Sequence, residues 1–295
     1  MIAMTDDTSS SDIRLALPKG HIKDGVIELL ADAGISVQQR SRNYRPSFSL
    51  SGYEVKILKP QSIVQMLDAG AREIGFTGAD WVEELGADLD MLLDTGLDPV
   101  RLVAAAPPSV LNDDGSFPDR KLVVASEYER ITKKWIEESD VNAEFLLSYG
   151  ATEVYPPEDA DCIVDVTETG ATLRANNLQI VDELRHSSTC LFAHPDVLDK
   201  PEKKEKIDRF VILLRSVLEA RKRVMLEVNV SDEYVDNIID LLPAMREPTV
   251  SSLHGEDGYA VKVAVERDKL PHLVPEIKKR GGTDVIVTDI SQIIT

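Results

Sequence analysis

Residues 161–174 read DCIVDVTETGATLR. An apolar run ending in Asp165 passes straight into Thr167, Glu168, Thr169, Gly170, Ala171 and Thr172. Glycine lets backbone N–H groups approach a ligand closely, and the threonine hydroxyls add donors. A helix that follows points its positive end at the same place. Together these make an anion cradle, and the ligand class it suits is a phosphate monoester. Asp165 stands at the carboxyl end of the strand, where open α/β sheets bind ligands. A carboxylate there can accept from sugar hydroxyls or stand beside a magnesium ion. An ordinary threonine-capped turn would use the same residue types, so the stretch needs company. Lys19 in ALPKG and Lys59 in ILKPQ each lie at a strand end beside a glycine or proline turn, suited to offset phosphate charge. Asp80 follows Gly78 at the start of a helix, and Glu153 opens a turn in GATEV.

The elements that must hold these residues alternate. DIRLALPKG reads as a strand, and IKDGVIELLADAGI as a helix with Ile22, Val26, Leu29 and Leu30 on one face, closed by Gly34. YEVKILKP and QSIVQMLDAGA repeat the pair, and REIGFTGADWVEEL is strand, turn and helix. A strand at 121–125 with its helix, then AEFLLSY, leads into the cradle. Such alternation predicts a parallel or mixed α/β sheet. Residues 201–223 form an amphipathic helix with Ile207, Phe210, Val211, Leu214 and Val217 on one face. Beyond it the order becomes β-α-β-β-α-β, a ferredoxin-like unit, with a domain boundary near residue 222.

Composition narrows the classes. The chain has 295 residues, enough for two or three domains. Its net charge of −19 is spread along the chain with no basic footprint, which argues against nucleic acid as a partner. No apolar run reaches membrane-spanning length. The start, MIAMTDDTSSSD, lacks the basic and apolar parts of a signal peptide. Residues 1–12 are therefore expected to be a disordered lead-in, and the protein to be cytoplasmic. Cys162 and Cys190 have no metal spacing and are expected to be buried reduced thiols. The acidic surface suggests a halophilic protein from a salt-rich cytoplasm, because salt screens its self-repulsion. Increasing KCl should then raise the melting temperature; a flat series would refute the idea.

The cradle resembles the signature of phosphoribosyltransferases. The adjacent acid pair of the type I enzymes is missing, since Val166 follows Asp165. The match moves toward ATP phosphoribosyltransferase, whose loop carries a single Asp before a Gly-[RA]-Thr-Leu turn. Further stretches are similar to that family in the same order: RLALPKG (14–20), the GFTGAD core within 57–84, VASEYER (124–130), GATEV (150–154) and EPTVSSLHGEDGYAVKVAV. The last resembles the C-terminal domain of the long form. Two departures stand out: Glu129 replaces a usual proline, and His21 stands where many members carry Arg. Histidine is the weaker phosphate clamp because it is largely neutral at pH 7.

The resemblance implies an α/β fold with a two-lobed, periplasmic-binding-protein-like catalytic core. Lobe I would comprise 13–105 and 188–221, and lobe II 106–187. A ferredoxin-like (ACT-like) regulatory domain would follow at 222–295. It implies transfer of phosphoribosyl from phosphoribosyl pyrophosphate to N1 of ATP with Mg2+, the first step of histidine biosynthesis, inhibited by histidine. The assembly would be a homo-oligomer, dimer or hexamer. Lys19, Lys59, Asp80 and Asp165 would serve the reaction, with 165 and 167–172 on phosphoribosyl pyrophosphate. Gly20, Arg42, Asn43, Gly78 and Tyr128 would meet ATP, and Glu153 the metal. Asn229, Thr249 and Asp284 would form the histidine pocket. The competing classes are a solute-binding protein, a phosphoribosyltransferase acting on a free base, and an inactive family member.

Overall fold

The computed structural model describes residues 11–39, 44–139, 141–243, 247–254 and 257–294. Most of the expected lead-in, residues 1–10, therefore lies outside the described residues. The chain divides into two compact units, Met1–Glu28 with Ile35–Asp208, and Leu29–Gly34 with Arg209–Thr295.

In the first unit β1 (Ile13–Pro18), α1 (Ile22–Asp32, whose end from Leu29 belongs to the second unit), a short ribbon of β2 (Val37–Gln38) and β3 (Ser47–Phe48), β4 (Tyr53–Leu58), α2 (Pro60–Asp68), β5 (Ile74–Gly78) and α3 (Ala79–Leu85) come first. Then follow β6 (Asp90–Ala106), β7 (Leu122–Ser126), α4 (Glu129–Glu138), β8 (Ala143–Leu147), β9 (Cys162–Thr167), α5 (Ala171–Ala175), β10 (Gln179–Ala193), α6 (Pro195–Leu198) and α7 (Pro201–Arg221), whose C-terminal part belongs to the second unit. The helices start and stop for local reasons. In α2, Pro60 presets the first turn, Ile63, Val64 and Leu67 form one buried face, and Gly70 at φ 64° ends the run.

Eight strands form one sheet in the order β4-β1-β5-β10-β6-β9-β7-β8. β4, β1 and β5 run parallel, as do β9, β7 and β8. The two long strands between them run antiparallel to each other and to their outer neighbours. β6 has 17 residues and β10 has 15, far beyond the usual five or six, because each serves both halves of the sheet. Asp90–Leu97 pairs with Thr189–Ala193, which also pairs with β5. Val100–Ala106 pairs with Gln179–Ser187, and Arg101–Ala105 also pairs with β9. This is the expected two-lobed α/β core, joined by a continuous ribbon. The register slips between the halves, where Gly96 (φ 64°) and Asp98 (φ 48°) turn left-handed. Side chains replace lost ladder bonds there: Leu97 N–H donates to Thr95 Oγ1 at 3.1 Å, and Thr189 Oγ1 to Asp98 at 3.1 Å.

The first lobe packs Ala16, Ile63, Leu67, Cys190 and Phe192 together. The second buries Leu102, Val124, Ile131 and Trp135 on one sheet face and Val103, Ala125, Ile163 and Leu173 on the other. Cys162 and Cys190 are free and buried as expected, and burial pushes their thiols up to about 12 and about 11. Within the second lobe Thr132 is fully buried, and its Oγ1 has no hydrogen-bond partner among the described residues. Thr132→Val keeps the shape and removes that hydroxyl. It should raise the unfolding free energy by about 1 kcal/mol, read as a higher denaturant midpoint at unchanged slope.

The second unit contains β11 (Arg223–Val230), α8 (Val235–Ile239), β12 (Thr249–Ser252), β13 (Tyr259–Glu266), α9 (Leu270–Lys279) and β14 (Thr283–Asp289). The sheet is antiparallel in the order β12-β13-β11-β14, the expected ferredoxin-like arrangement. Strict alternation in β11 buries Val224, Leu226, Val228 and Val230 against Ile238, Leu242, Leu273 and Ile277.

Candidate active site

Topology brings the chemistry-bearing turns to one level. Lys19 follows β1, Lys59 follows β4, and Gly78–Asp80 follow β5 in the first lobe. Tyr128 follows β7, Glu153 follows β8 and Asp165 lies two residues before the end of β9 in the second. Gly78 lies opposite Thr189, and Thr167 opposite Arg101. Both pairs flank the slip in the long ribbon, so the carboxyl edges of the two lobes face each other there. The ribbon thus sets the cleft.

At the end of β9 the loop is organised by its own hydroxyls. Thr167, 9% exposed, accepts the Gly170 N–H at 2.9 Å, while Thr169 Oγ1 takes the Ala171 N–H at 3.4 Å. Gly170 has φ 74°, a left-handed turn that favours glycine. Glu168, Thr169, Ala171 and Thr172 remain exposed. The helix that follows has only five residues, so it offers first-turn N–H groups rather than a long dipole. Arg174, absent from the sequence reading, donates to the Thr169 carbonyl at 3.0 Å and supplies a cation beside the loop. Its signal was a basic residue one turn into that helix. A hollow of about 300 Å³ is lined by Glu153, Asp165–Thr169 and Ala171–Leu173.

Burial pushes the Asp165 carboxyl up to about 6, with the negative charges of Glu153 and Glu127 adding to the shift. The Val166 N–H at 2.7 Å and the Thr152 hydroxyl oppose it. Three carboxylates thus share one neighbourhood. Among the described residues no three acidic, histidine or cysteine side chains form a metal cage by themselves. This donor set suits a magnesium ion that arrives on a polyphosphate and keeps most of its oxygen ligands from phosphate and water.

Across the cleft Asp80, 4% exposed, accepts from Ser187 Oγ at 2.7 Å and from Tyr128 Oη at 2.7 Å. Its own N–H donates to Ser187 Oγ at 3.0 Å. Trp81 stacks on Tyr128 with ring centroids 4.5 Å apart. Burial first, then the Asp80 charge, pushes the Tyr128 phenol far above its ordinary value. Tyr128, read as an ATP contact, is 3% exposed and turns its hydroxyl to Asp80. Gly78 has a spatial reason to be glycine: an added Cβ would overlap Asp80 Oδ1 and push that carboxylate off its donors. His21, Asp80, Tyr128 and Ser187 line a narrow cavity of about 40 Å³.

The two lysines sit as the turns suggested. Lys19 places Nζ 5.6 Å from the Tyr44 ring centroid, and Gly20 next to it (φ 90°) has open space around it. Lys59 is exposed at the start of α2, its carbonyl accepting from Ile63 at 2.9 Å. Because Lys59 holds α2 through its carbonyl and not its side chain, Lys59→Ala should leave stability nearly unchanged. It should raise the KM for a phosphorylated substrate about tenfold, through one lost charge-assisted bond of about 1.5 kcal/mol. An unchanged KM in steady-state kinetics would remove Lys59 from the site. Arg42 and Asn43 lie outside the described residues.

In the second unit Asn229 Nδ2 donates to Asp284 at 3.2 Å, and Asp284 has φ 43°. Thr249 does not join them. It lies on the edge strand β12 opposite Lys262, two strands from β14's neighbour position, in a hollow with Met225, Lys262 and Gln292.

Comparison with known proteins agrees with this construction. Residues 59–216 match the family model described as ATP phosphoribosyltransferase, and 220–292 match that of the HisG C-terminal domain. The chain is 36% identical over 296 residues to an ATP phosphoribosyltransferase of Chlorobaculum parvum, covering 97% of this chain and 99% of that protein. It is 36% identical over 288 residues to one of Pelotomaculum thermopropionicum, covering 96% and 99%. Among solved structures it resembles the ATP phosphoribosyl transferase (HisG:HisZ) complex from Thermotoga maritima, with TM-score 0.62 and 26% identity over 70% of this chain and 98% of that one. A hydroxyl-lined loop facing a cleft, a ferredoxin-like C-terminal unit and relatives matched from end to end converge: the chain belongs to the ATP phosphoribosyltransferase family, in its long form, and is a pentosyltransferase enzyme.

Proposed function

We propose that the enzyme transfers phosphoribosyl from phosphoribosyl pyrophosphate to N1 of ATP, as the first step of histidine biosynthesis in the cytoplasm. N1 attacks the anomeric carbon as the bond to pyrophosphate breaks; the N1–C1′ bond forms and the electron pair leaves on pyrophosphate. The observation that carries this reading is the Thr167–Thr172 loop beside the half-buried Asp165 at the cleft. Thr167, Glu168, Thr169, Gly170, Ala171 and Thr172 hold the 5′-phosphate, with Arg174 close by, and Asp165 accepts from the ribose hydroxyls. Lys19 and Lys59 offset phosphate charge from the facing lobe, and Gly20, Gly78 and Tyr128 shape the ATP side. Magnesium, when bound with the pyrophosphate, would neutralise the leaving group, and Glu153 with its neighbours would receive the ion's water shell. Positioning and electrostatics supply the rate, since N1 needs no strong base to expose it.

Histidine would act at the second unit through the Asn229–Asp284 pair, with Thr249 as a separate contact, and would shift dimers toward hexamers. Inhibition of this kind requires different affinities for two states. The test is pyrophosphate release from ATP plus phosphoribosyl pyrophosphate with Mg2+ in high KCl, with and without histidine. ATP-dependent release suppressed by histidine is expected. Release that histidine leaves alone would discard the effector site and keep the reaction; no release by verified folded protein would overturn the reaction.

A further inference from the structure

Helix α4 in the second lobe begins without a capping side chain of its own, since Tyr128 at its N-cap position makes no side-chain cap bond. The first N–H groups of any helix need partners. Here they come from the other lobe. Glu84, 9% exposed on α3, accepts from Arg130 N–H at 3.0 Å through Oε1 and from Ile131 N–H at 3.0 Å through Oε2. The Glu129 N–H adds to the same carboxylate. One turn earlier on α3, Asp80 takes the Tyr128 hydroxyl at 2.7 Å. Trp81 between them stacks on Tyr128. Asp80 and Glu84 stand four residues apart, so a single face of α3 meets the start of α4.

We infer that Glu84 is a positioning residue for the transfer: by capping α4 across the cleft it fixes the angle between the lobe that carries the phosphate loop and the lobe that carries Lys19 and Lys59. The inference rests on the proposed reaction for its kinetic consequence and on geometry alone for the clasp. Within the second lobe Ser126 Oγ takes the Tyr128 N–H at 2.9 Å, but the next three N–H groups go to Glu84, so parting the lobes would leave those groups and a buried carboxylate to find water. A clasp of this type holds the two halves of the site in register without touching either substrate.

The chain has two tryptophans, and Trp135 lies elsewhere in the second lobe, bonded to Asp182. Trp135→Phe therefore leaves Trp81 as the only tryptophan reporter of the clasp. In that background, Glu84→Gln keeps one acceptor and sets an amide donor against the second N–H, while Glu84→Ala removes both. Expected results are a red shift of Trp81 emission in both variants, larger for Ala. Pyrophosphate release should fall about tenfold for Gln and about a hundredfold for Ala, mostly in kcat, as misplaced groups lose rate more than binding. Each variant is measured below its own melting temperature. Unchanged emission, or unchanged kcat alongside a lowered melting temperature, would overturn the inference, because Glu84 would then be a structural cap only. If the unsubstituted enzyme itself releases no pyrophosphate, the proposed reaction fails, and the clasp stands or falls on emission alone.

Discussion

Asp165→Asn is expected to lower the transfer rate by about a thousandfold while making the unliganded protein more stable at neutral pH. The rate follows from losing a charged acceptor aimed at the substrate in a partly dry site, where preorganised electrostatics count most. The stability follows from linkage. Burial, with Glu153 and Glu127 near, pushes the folded-state pKa of Asp165 up to about 6. The unfolded value is about 3.9. A raised folded pKa means that the native state binds the proton more tightly. Stability is then full below about pH 4 and declines as pH rises through about 6. Above that range the ionised, half-buried Asp165 destabilises the fold by about 3 kcal/mol. Asn carries no charge, so the variant should exceed the parent by about that amount at pH 7.5, and the difference should vanish near pH 4. Denaturant unfolding at the two pH values measures it. In the parent, kcat/KM for phosphoribosyl pyrophosphate should fall tenfold per pH unit below about 6, since that ratio reports the free enzyme. A flat profile, or an Asn variant that keeps its rate, would remove Asp165 from the reaction.

Asp80→Ala should be the single change at the cleft that costs the most stability. It removes the acceptor of two buried hydroxyls, Ser187 at 2.7 Å and Tyr128 at 2.7 Å. Each buried donor left unpaired costs about 1–3 kcal/mol, so a loss of about 3 kcal/mol in unfolding free energy is expected. Activity should fall at least about a hundredfold, because the ribbon, α3 and α4 all meet at this carboxylate. Tyr128→Phe removes one of the two donors and should cost less than Asp80→Ala. In the double variant Asp80 and Tyr128 should show coupling of about 1 kcal/mol or more. Additive stability losses would mean that the pair does not act as a unit, and Asp80 would then be an ordinary first-turn acid of α3.

The readable parts of this protein were those in which the physics is local. The loop at 167–172 combines a strand end, a left-handed glycine and hydroxyls within a few residues, and its internal bonds span two or three positions. The β-α-β-β-α-β unit announced itself because β11 alternates strictly and its buried face is one aliphatic row. The turns after β1, β4 and β5 carry their signals in glycine and proline. The long strands were not readable. Gly96 and Pro99 lie inside β6 and read as breakers, yet they sit where the ladder slips anyway. The effector residues looked alike in sequence, and only strand order separates Thr249 from the Asn229–Asp284 pair.

What the sequence by itself determined was therefore the set of chemically capable turns, the α/β alternation and the form of the C-terminal unit, since neighbouring residues set backbone conformation and periodicity. What only the tertiary structure decided was who meets whom. Asp80 finds Ser187 across 107 positions and Tyr128 across 48, and Glu84 reaches Ile131 across 47. No local preference encodes such meetings. They follow from the path of the chain through the shared ribbon, which turns two sets of strand ends toward one cleft.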